Sequence, residues 1–271
     1  MAQLERESKT SDALARLYDV DLMEDPGDVD FYLALASRTG GPVLEIAGGS
    51  GRVALPLADA GYSVTVVDID PAMLARARAA AEVAGPEIRS RLDLVEADLI
   101  GLKLAAGDSF HLAILALNSI LLLDTRDAQQ AALDTMARHL QPGGLAVVDV
   151  WLPSADELAR YDGRLGLEYV RDDPESGAVI VKTAAVQHEP ATGHINLTAI
   201  YEEGEQGEAP RRWVREDRLR LLNADDRRAM AEAAGLEVEV VAGDYDLNPV
   251  GPHDERAIMI ARRRGRPAPR A

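Results

Sequence analysis

The sequence predicts an α/β fold: a Rossmann-like, doubly wound sheet of seven strands with an antiparallel terminal strand, and a second, antiparallel sheet inserted into it. Two observations support this prediction. Apolar segments rich in Val, Ile and Leu alternate with helical segments between residues 42 and 151, and a run of strand-like segments follows beyond residue 153. Near-continuous apolar strands separated by helices indicate a parallel sheet covered on both faces.

The first half of the chain supplies the elements of the parallel sheet. A short helical pattern lies around Leu14 to Tyr18, and Asp28 is a suitable N-cap for the helix "VDFYLALASRT", which ends at Gly40. The predicted strands are "PVLEIA", "SVTVVDI", "RLDLVEADL", "FHLAILAL" and "LAVVDVW". The predicted helices between them are "GRVALPLADAG", "PAMLARARAAAEVAG" and "RDAQQAALDTMARHL".

The second half changes pattern and then returns to it. The strand-like segments of the insertion are "LGLEYV", "AVIVKTAAVQHE", "GHINLTAIYEE" and "RRWVREDRLRLL", and the turn "EPATG" marks a hairpin. A helix capped by Asn223 or Asp225 follows, and "LEVEVVAGDY" and "RAIMIARR" complete the sheet as a hairpin. The predicted domains are an N-terminal helical segment at 1–27, a core at 28–153 and 223–264, an inserted sheet at 154–222, and a disordered tail at 265–271.

Composition restricts the function. The 271 residues carry a formal net charge of −17, which disfavours binding to nucleic acid. Cysteine is absent, and neither an apolar run long enough to span a membrane nor a secretory signal is visible, so we expect a cytoplasmic protein without a membrane partner. The run His253-Asp254-Glu255 is consecutive and does not bring three side chains together on a cation, so no metal site is expected.

A glycine-rich turn follows the first predicted core strand, in "VLEIAGGSGR". Gly49, Gly51 and Ala54 satisfy the pattern G-x-G-x-x-G/A, in which glycines let the backbone approach a nucleotide at a helix N-terminus. The pattern alone does not identify the nucleotide, because a dehydrogenase would show it too.

Three acidic residues narrow the prediction. Asp68 ends the second strand, where a carboxylate can accept both hydroxyls of a ribose or cap the next helix. Asp98 ends the third strand and could accept a hydrogen bond from an adenine amino group. Glu45 lies inside the first strand, where a buried carboxylate requires a partner such as a ligand ammonium or the N–H groups of the turn.

The motifs "VLEIAGGSGR", "VVDIDPAML", "EADL" and "QPGGLAVVD" together resemble those of the class I S-adenosylmethionine-dependent methyltransferases. The resemblance covers roughly residues 28–150 and 223–264. The segments "LYD" and "LNS" and the insertion resemble the small-molecule group that methylates glycine, sarcosine and amino sugars. In that group the insertion covers the acceptor site, so the resemblance implies that residues 1–27 and 154–222 are a lid and a cover.

The resemblance also implies roles for residues around the cofactor. Glu45, Ala47, Gly49 and Gly51 would line its methionine part. Tyr18 and Arg52 could reach the methionine carboxylate, although a packing role for Tyr18 and a solvent-exposed side chain for Arg52 are the alternatives. The residues implied at the adenosine part are Asp68 at the ribose, Ile69 and Met73 on the adenine, and Asp98 and Leu99 near its amino group.

Two positions depart from the family pattern. Ala47 replaces the first glycine, which is tolerable if its φ is negative, because glycine is required only for positive φ or a very close approach. His111 stands where the family commonly has "FD" before the fourth strand. Both departures bear on the pose of the cofactor and on how strongly it binds.

The acceptor would be a small molecule placed beyond the fourth and fifth strands. Asn118 is a candidate catalytic residue that could hold the acceptor, and His253 is a candidate base. The further candidates for binding the substrate are Ser119, Trp151, Tyr201, Trp213 and Tyr245. An amine acceptor is favoured over a hydroxyl, because a neutral amine needs no general base. The sequence is compatible with a homodimer.

Alternatives remain at this stage. An NAD-dependent oxidoreductase would share the glycine turn and Asp68, although it would not explain Glu45, Asp98 and the final hairpin together. A nucleic-acid methyltransferase would be expected to carry an Asn/Asp-Pro-Pro-aromatic run after the fourth strand, where this chain has "LNSI". A non-methylating protein on the same fold, such as a cyclase or a scaffold, is the third alternative, because function belongs to the site and not to the fold.

Overall fold

The computed structural model describes residues 2–24, 26–105, 109–204, 209–251 and 253–265. The helices are α1 (Ala2–Asp21), α2 (Val29–Thr39), α3 (Ala54–Asp59), α4 (Pro71–Ala84), α5 (Pro86–Ser90), α6 (Arg126–His139), α7 (Ala155–Arg160) and α8 (Ala224–Ala233), with a 3-10 turn at Ser119–Leu122. The strands are β1 (Val43–Ile46), β2 (Val64–Asp68), β3 (Leu92–Glu96), β4 (Phe110–Leu115), β5 (Leu140–Trp151), β6 (Asp162–Asp172), β7 (Val179–Glu189), β8 (His194–Gly204), β9 (Arg211–Arg220), β10 (Leu236–Ala242) and β11 (Arg256–Arg263). None of the helices in these ranges has the length and apolar character needed to cross a membrane.

The larger sheet has seven strands in the order β10-β11-β5-β4-β1-β2-β3. β1 pairs in parallel with both β2 and β4, so the chain builds outward from β1 in one direction and then returns to continue in the other. β11, the last strand of the chain, runs antiparallel to both of its neighbours, β5 and β10. This arrangement confirms the predicted fold class, and it places the switch in strand order between β1 and β4, where open α/β sheets bind ligands.

The core lies on both faces of this sheet. All four residues of β1 are buried, and so are residues 145–150 of β5. Continuous burial along a strand requires cover on each face, as the unbroken runs of Val, Ile and Leu predicted. One face packs on α2 and α3 through residues that include Leu35, Val53 and Leu57.

The smaller sheet contains β6 to β9 in sequence order, every pair antiparallel. This confirms the predicted inserted antiparallel sheet. Helix α1 packs on it: Leu17 and Val20 are buried with Ile180, Ala199 and Tyr201. The end of α1 is held by polar contacts, which are the hydroxyls of Tyr169 (2.5 Å) and Tyr201 (2.7 Å) and the ammonium of Lys182 (3.0 Å), all on the carboxylate of Asp21.

The chain divides into two compact units. One contains Met1–Glu24 and Pro153–Leu221, and the other contains Asp25–Leu152 and Leu222–Ala271. Helix α1 therefore belongs to the same unit as the antiparallel sheet, whereas the sequence analysis predicted residues 1–27 and 154–222 as two separate domains. The predicted roles of lid and cover stay predictions. Apart from Gly265, the predicted disordered tail lies outside the described residues.

Several elements differ from the sequence-based expectation. α1 runs from Ala2 to Asp21, much longer than the pattern around Leu14 to Tyr18. α3 begins only at Ala54, because the backbone before it is used for the glycine turn. α7 was not predicted, although Ser154 and Glu157 form a capping box at its start.

Two predicted helix caps had different outcomes. Asn223 caps α8 as expected, because its side-chain oxygen accepts a hydrogen bond from the Asp226 N–H at 2.8 Å. Asp28 occupies the N-cap position of α2, as predicted, but its side chain makes no capping hydrogen bond. The reason is a stronger partner: both carboxylate oxygens of Asp28 accept from Arg52.

Candidate functional site

The turn between β1 and α3 has an unusual backbone. Ala47, Gly49 and Gly51 have φ values of +53°, +57° and +84°. The condition of negative φ for Ala47 is therefore not met, and the alanine occupies the left-handed region. A non-glycine residue there costs roughly 1–2 kcal/mol, so this chain carries strain at the first residue of the turn.

Gly48, which was not among the predicted site residues, is the glycine that the turn needs for space. A Cβ at this position would lie 2.6 Å from Cγ1 of Val66 and 3.0 Å from Cδ of Glu45. Real side chains do not tolerate such approaches, so only glycine lets the turn lie against β2 and the Glu45 carboxyl. The doubled glycine in "AGGSG" was the signal available in the sequence.

Glu45 places a carboxyl group directly beneath this turn. The residue is 3% exposed. The Ala54 N–H donates a hydrogen bond to the carboxyl, while its Oε2 atom has no hydrogen-bond partner in the described part of the chain. Burial raises the pKa of Glu45 to about 8, against the opposing effect of Arg52. A buried carboxyl oxygen that lacks a hydrogen-bond donor and lies beside the glycine turn is suited to bind a cationic group.

Asp68 closes the turn from the end of β2. Its Oδ2 accepts a hydrogen bond from the Gly49 N–H at 2.8 Å, and its Oδ1 accepts from the Asp70 N–H at 2.9 Å. Burial raises the pKa of this carboxyl above its usual value. The cap of α4 is supplied by Asp70, which accepts from the Ala72 N–H, so Asp68 is not needed for that purpose.

Apolar side chains stand beside Asp68. Ile69 is 68% exposed, which is unusual for an isoleucine directly after a buried strand. Met73 lies close to the turn, since a Cβ atom built on Gly49 would be 3.3 Å from the Cε atom of Met73. The structure thus brings Glu45, Asp68 and Met73 to one turn.

Two further predicted cofactor residues, Asp98 and Leu99, follow β3. Asp98 is exposed, and its carboxylate accepts from the Ile100 N–H at 2.8 Å. Leu99 is half-buried, and its carbonyl accepts the hydroxyl of Thr135 at 3.0 Å. β3 is the neighbour of β2 in the sheet and runs parallel to it, so Asp98 follows the same edge as Asp68.

The ends of β4 and β5 are joined by Asn118. Leu117 and Asn118 both have positive φ, +41° and +66°. The Asn118 side-chain oxygen accepts from the Trp151 N–H, and its own N–H donates to the Asp149 carbonyl at 3.1 Å. The Ser119 hydroxyl donates to the Ala116 carbonyl at 2.7 Å. Two consecutive strained residues at a strand end are typical of functional sites.

A bidentate ion pair that sequence reasoning missed locks the turn to α2. The Arg52 guanidinium donates to both oxygens of Asp28 at 2.6 Å each, and Asp28 is completely buried. The ion pair with Asp28 holds the Arg52 side chain just before α3. The predicted contact of Arg52 with the methionine carboxylate of the cofactor stays a prediction. Local sequence could not reveal the pairing, because it joins residues 24 positions apart.

A second buried network lies at the end of β5. Arg256 donates to both oxygens of Asp149 at 2.7 and 2.6 Å, and the Tyr245 hydroxyl donates to Asp149 at 2.9 Å. The hydroxyl of Tyr32 is buried nearby without a hydrogen-bond partner among the described residues, and burial together with Asp149 and Asp28 raises its pKa. An acid inside the apolar strand "LAVVDVW" was the available signal for Asp149, as it was for Glu45.

The other predicted residues make the following contacts within their own units. His253 is exposed in the loop before β11. In the other unit, Tyr201 is buried with its hydroxyl on Asp21, the Trp213 indole N–H donates to Glu203 at 3.3 Å, and Tyr18 is half-buried on α1.

His111 lies at the amino end of β4. It contacts the Thr39 carbonyl through Nδ1 at 2.9 Å and stands beside Gly40. Ligands bind such sheets at the carboxyl ends of their strands, which is the opposite end of β4 from His111. An effect of His111 on the cofactor's pose stays a prediction.

Comparison with known proteins agrees with this geometry. Residues 43–144, which contain the glycine turn, Asp68 and Asp98, match the family model described as a methyltransferase domain. Together with the seven-stranded sheet, this match makes the chain an S-adenosylmethionine-dependent methyltransferase.

Individual relatives extend the likeness over most of the chain. Cypemycin N-terminal methyltransferase from a Streptomyces species is 28% identical over 247 residues, 87% of this chain and 87% of that protein. The CcbJ methyltransferase of Streptomyces caelestis has a TM-score of 0.74 at 26% identity, covering 89% of this chain and 97% of its own. The sugar N-methyltransferase KedS8 of a Streptoalloteichus species shares the fold, with a TM-score of 0.69 at 24% identity over 92% and 93% of the two chains.

Proposed function

We propose that this protein transfers a methyl group from S-adenosylmethionine to an amine of a small molecule. The observation that carries the site assignment is the buried carboxyl of Glu45, whose Oε2 atom lacks a donor while it lies against the glycine turn. An ammonium group at this point would supply both a hydrogen bond and an opposite charge. The amino-acid part of S-adenosylmethionine carries such a group.

The residues along the strand ends fit the rest of the cofactor. Asp68 already accepts two backbone N–H groups, and a carboxylate has about four lone-pair sites, so it can also accept from ribose hydroxyls. The exposed side chain of Ile69 and the adjacent Met73 offer an apolar surface for a purine. Asp98 and Leu99 follow at the next strand end, where an adenine amino group would find an acceptor.

When bound, S-adenosylmethionine supplies a transferable methyl group on a positively charged sulfur. The protein's task is to fix the two reactants relative to each other, since orientation alone can contribute a large part of the rate. The ends of β4 and β5 are defined by the strained segment at Leu117 and Asn118 and by the Asn118 side-chain oxygen, which accepts from the Trp151 N–H. We assign the acceptor to this side of β4 and β5.

An amine is the acceptor that these residues favour. A hydroxyl acceptor would need a general base, whereas a neutral amine attacks through its own lone pair. The carboxylate of Asp149 is held by Arg256 and Tyr245, and the hydroxyl of Ser119 is donated to a backbone carbonyl, so neither is poised to remove a proton. The relative that is 28% identical is named as a methyltransferase of an N-terminus, which is also an amine.

A product assay tests this proposal. Purified protein and S-adenosylmethionine are incubated with primary amines, amino sugars, short peptides and phenols, and methylated products are identified by mass spectrometry. We expect methylated amines and a rate that rises with pH as the acceptor amine loses its proton. The variant Asp68→Ala should lose most of this activity, while Asp93→Ala, at an exposed position in β3, should retain it.

Other outcomes of the same assay would correct the proposal. Methylation of phenols alone would replace the amine by a hydroxyl acceptor and would require a base. An active Asp68→Ala variant would remove Asp68 from the cofactor site. Cytoplasmic location stays a prediction.

A further inference from the structure

A buried arginine on α8 has no compensating charge. Arg227 is 4% exposed, and its Nη1 atom has no hydrogen-bond partner within the residues that the structure describes. Burial lowers the pKa of its guanidinium, and no carboxylate of the described chain offsets that effect. Arg52 and Arg256 are more exposed, yet each is paired with a fully buried aspartate. Arg227 is therefore buried more deeply than either of them and compensated less.

Sequence spacing places Arg227 on the inner face of α8. Residues three and four positions apart lie on the same face of a helix. Met230 and Ala231 stand at these distances from Arg227, and both are completely buried. A helical side chain also leans toward the N-terminus of its helix. The guanidinium of Arg227 therefore lies over the first turn of α8, on the buried side of the helix.

The first turn of α8 lies at the same edge of the larger sheet as the glycine turn. β10 is antiparallel to β11, which is antiparallel to β5, so β10 runs in the direction of the parallel strands. Helix α8 packs on β10 and is joined to it by only two residues, so the helix runs the opposite way. Its N-terminus is consequently at the carboxyl ends of the strands, where open α/β sheets bind ligands.

Helix α6 meets α8 at this edge, and the nearby acids are engaged there. α6 leads directly into β5, and Arg126 in its first turn lies 3.6 Å from the carboxylate of Asp226 in the first turn of α8. Asp226 also accepts a hydrogen bond from the Asn223 side chain at 2.9 Å. Asp225 is exposed. Neither carboxylate therefore compensates the charge of Arg227.

An uncompensated guanidinium inside a protein is costly. A water molecule would satisfy a hydrogen bond of Nη1 but would leave the charge without a partner. An oxyanion satisfies both, because a guanidinium binds carboxylate, sulfate and phosphate groups through two parallel hydrogen bonds. The N-terminus of α8 adds partial positive charge at the same place. We propose that Arg227 binds an oxyanion at the first turn of α8, at the carboxyl edge of the larger sheet.

Two sources of such a group fit this edge. One is a free inorganic anion, which would stabilise the folded chain whether or not methyl transfer occurs. The other is a carboxylate or phosphate group carried by the methyl acceptor, which we assigned to the neighbouring ends of β4 and β5. Only the second source rests on the proposed function.

Thermal unfolding in inorganic phosphate at constant ionic strength tests the site without reference to activity. We compare the wild type with Arg227→Met and with Arg228→Met, which makes the same change at the next, exposed position. An anion at one hundred times its dissociation constant should raise the melting temperature by roughly 5 °C or more. We expect this saturable rise in the wild type and Arg228→Met but not in Arg227→Met. Exclusion of phosphate from protein surfaces also stabilises, but equally in all three proteins.

Two further measurements separate an anion site from a packing role. Arg227→Lys keeps the charge and should keep part of the response to phosphate. In phosphate-free buffer, Arg227→Met should be at least as stable as the wild type, because it removes a buried charge that has no partner.

Calorimetric titration with glucosamine and glucosamine 6-phosphate distinguishes the two sources. If the anion belongs to the acceptor, the 6-phosphate should bind at least tenfold more tightly than glucosamine or inorganic phosphate, and Arg227→Met should remove that gain. If the anion is free, the 6-phosphate should bind no more tightly than inorganic phosphate.

The inference is overturned if Arg227→Met and the wild type respond equally to phosphate, because the anion then binds elsewhere or not at all. A destabilised Arg227→Met in phosphate-free buffer would also overturn it, since the guanidinium would then have a partner within the fold. S-adenosylhomocysteine should bind all of these proteins alike. Failure of that binding would count against the proposed function, whereas the phosphate response alone decides the anion site.

Discussion

The substitution Glu45→Gln should abolish a large pH dependence of stability. Glu45 is buried in β1, and burial raises the pKa of its carboxyl from 4.5 in the unfolded chain to about 8 in the folded protein. Between these values the folded protein keeps a proton that the unfolded chain has released. The free energy of unfolding therefore falls as pH rises from about 4.5 to about 8, and it falls no further above that range.

The size of the effect follows from the two pKa values. At about 1.4 kcal/mol per pH unit, the gap between 4.5 and about 8 amounts to about 5 kcal/mol. Glutamine has the shape of the protonated acid and cannot ionise. The variant should match the wild type in stability at low pH and exceed it by up to this amount above pH 8.

Urea unfolding of both proteins at about pH 5, 7 and 9 measures the effect, with the free energies extrapolated to water. The difference between the two proteins isolates Glu45, because other buried carboxyls such as Asp68 and Asp149 titrate in both. A difference that stays constant across the pH range would show that Glu45 is not buried in its protonated form. The assignment of an ammonium group to the Glu45 Oε2 atom would then be wrong.

Three further substitutions test the turn and its support. Ala47→Gly should stabilise the protein by about 1 kcal/mol because the residue has positive φ, whereas Ala75→Gly on the exposed side of α4 should destabilise it by a similar amount; two equal effects on the melting temperature would argue against strain. Gly48→Ala should cost roughly 1–3 kcal/mol through overpacking, while Gly204→Ala, which has open space, should be nearly neutral, and a well-tolerated Gly48→Ala would contradict the packing described. Asp28→Asn removes the charge of a completely buried carboxylate that pairs with Arg52 and should cost about 3 kcal/mol in urea unfolding; a loss below about 1 kcal/mol would mean that the ion pair is not formed.

The fold could be predicted from sequence because its signals are local. Continuous apolar runs marked the parallel strands, and strict punctuation by turn residues marked β7 to β9 nearly to the residue. The helix α7 carried a local signal as well, in Ser154 and Glu157, and it was missed only because six residues make a short helix.

The site could be predicted only in part. Glu45 and Asp68 were identifiable because a carboxylate inside or at the end of an apolar strand is costly without a purpose. The pairing of Asp28 with Arg52 could not be predicted. An aspartate just before a helix can cap that helix, and the sequence does not show whether its side chain caps the helix or pairs with a distant arginine. The positive φ of Ala47 was hidden for a similar reason, because an alanine gives no sign of the strain that its neighbours impose.

Calorimetric titration with S-adenosylmethionine, S-adenosylhomocysteine and NAD tests the central claim most directly. The claim is that Glu45, the glycine turn and Asp68 form a site for an adenosyl amino acid. We expect both sulfur nucleosides to bind at one site per chain, NAD not to bind, and Asp68→Ala to weaken binding by roughly tenfold or more, as the loss of a hydrogen bond to a charged group does. Binding of NAD without either sulfur nucleoside would contradict the account.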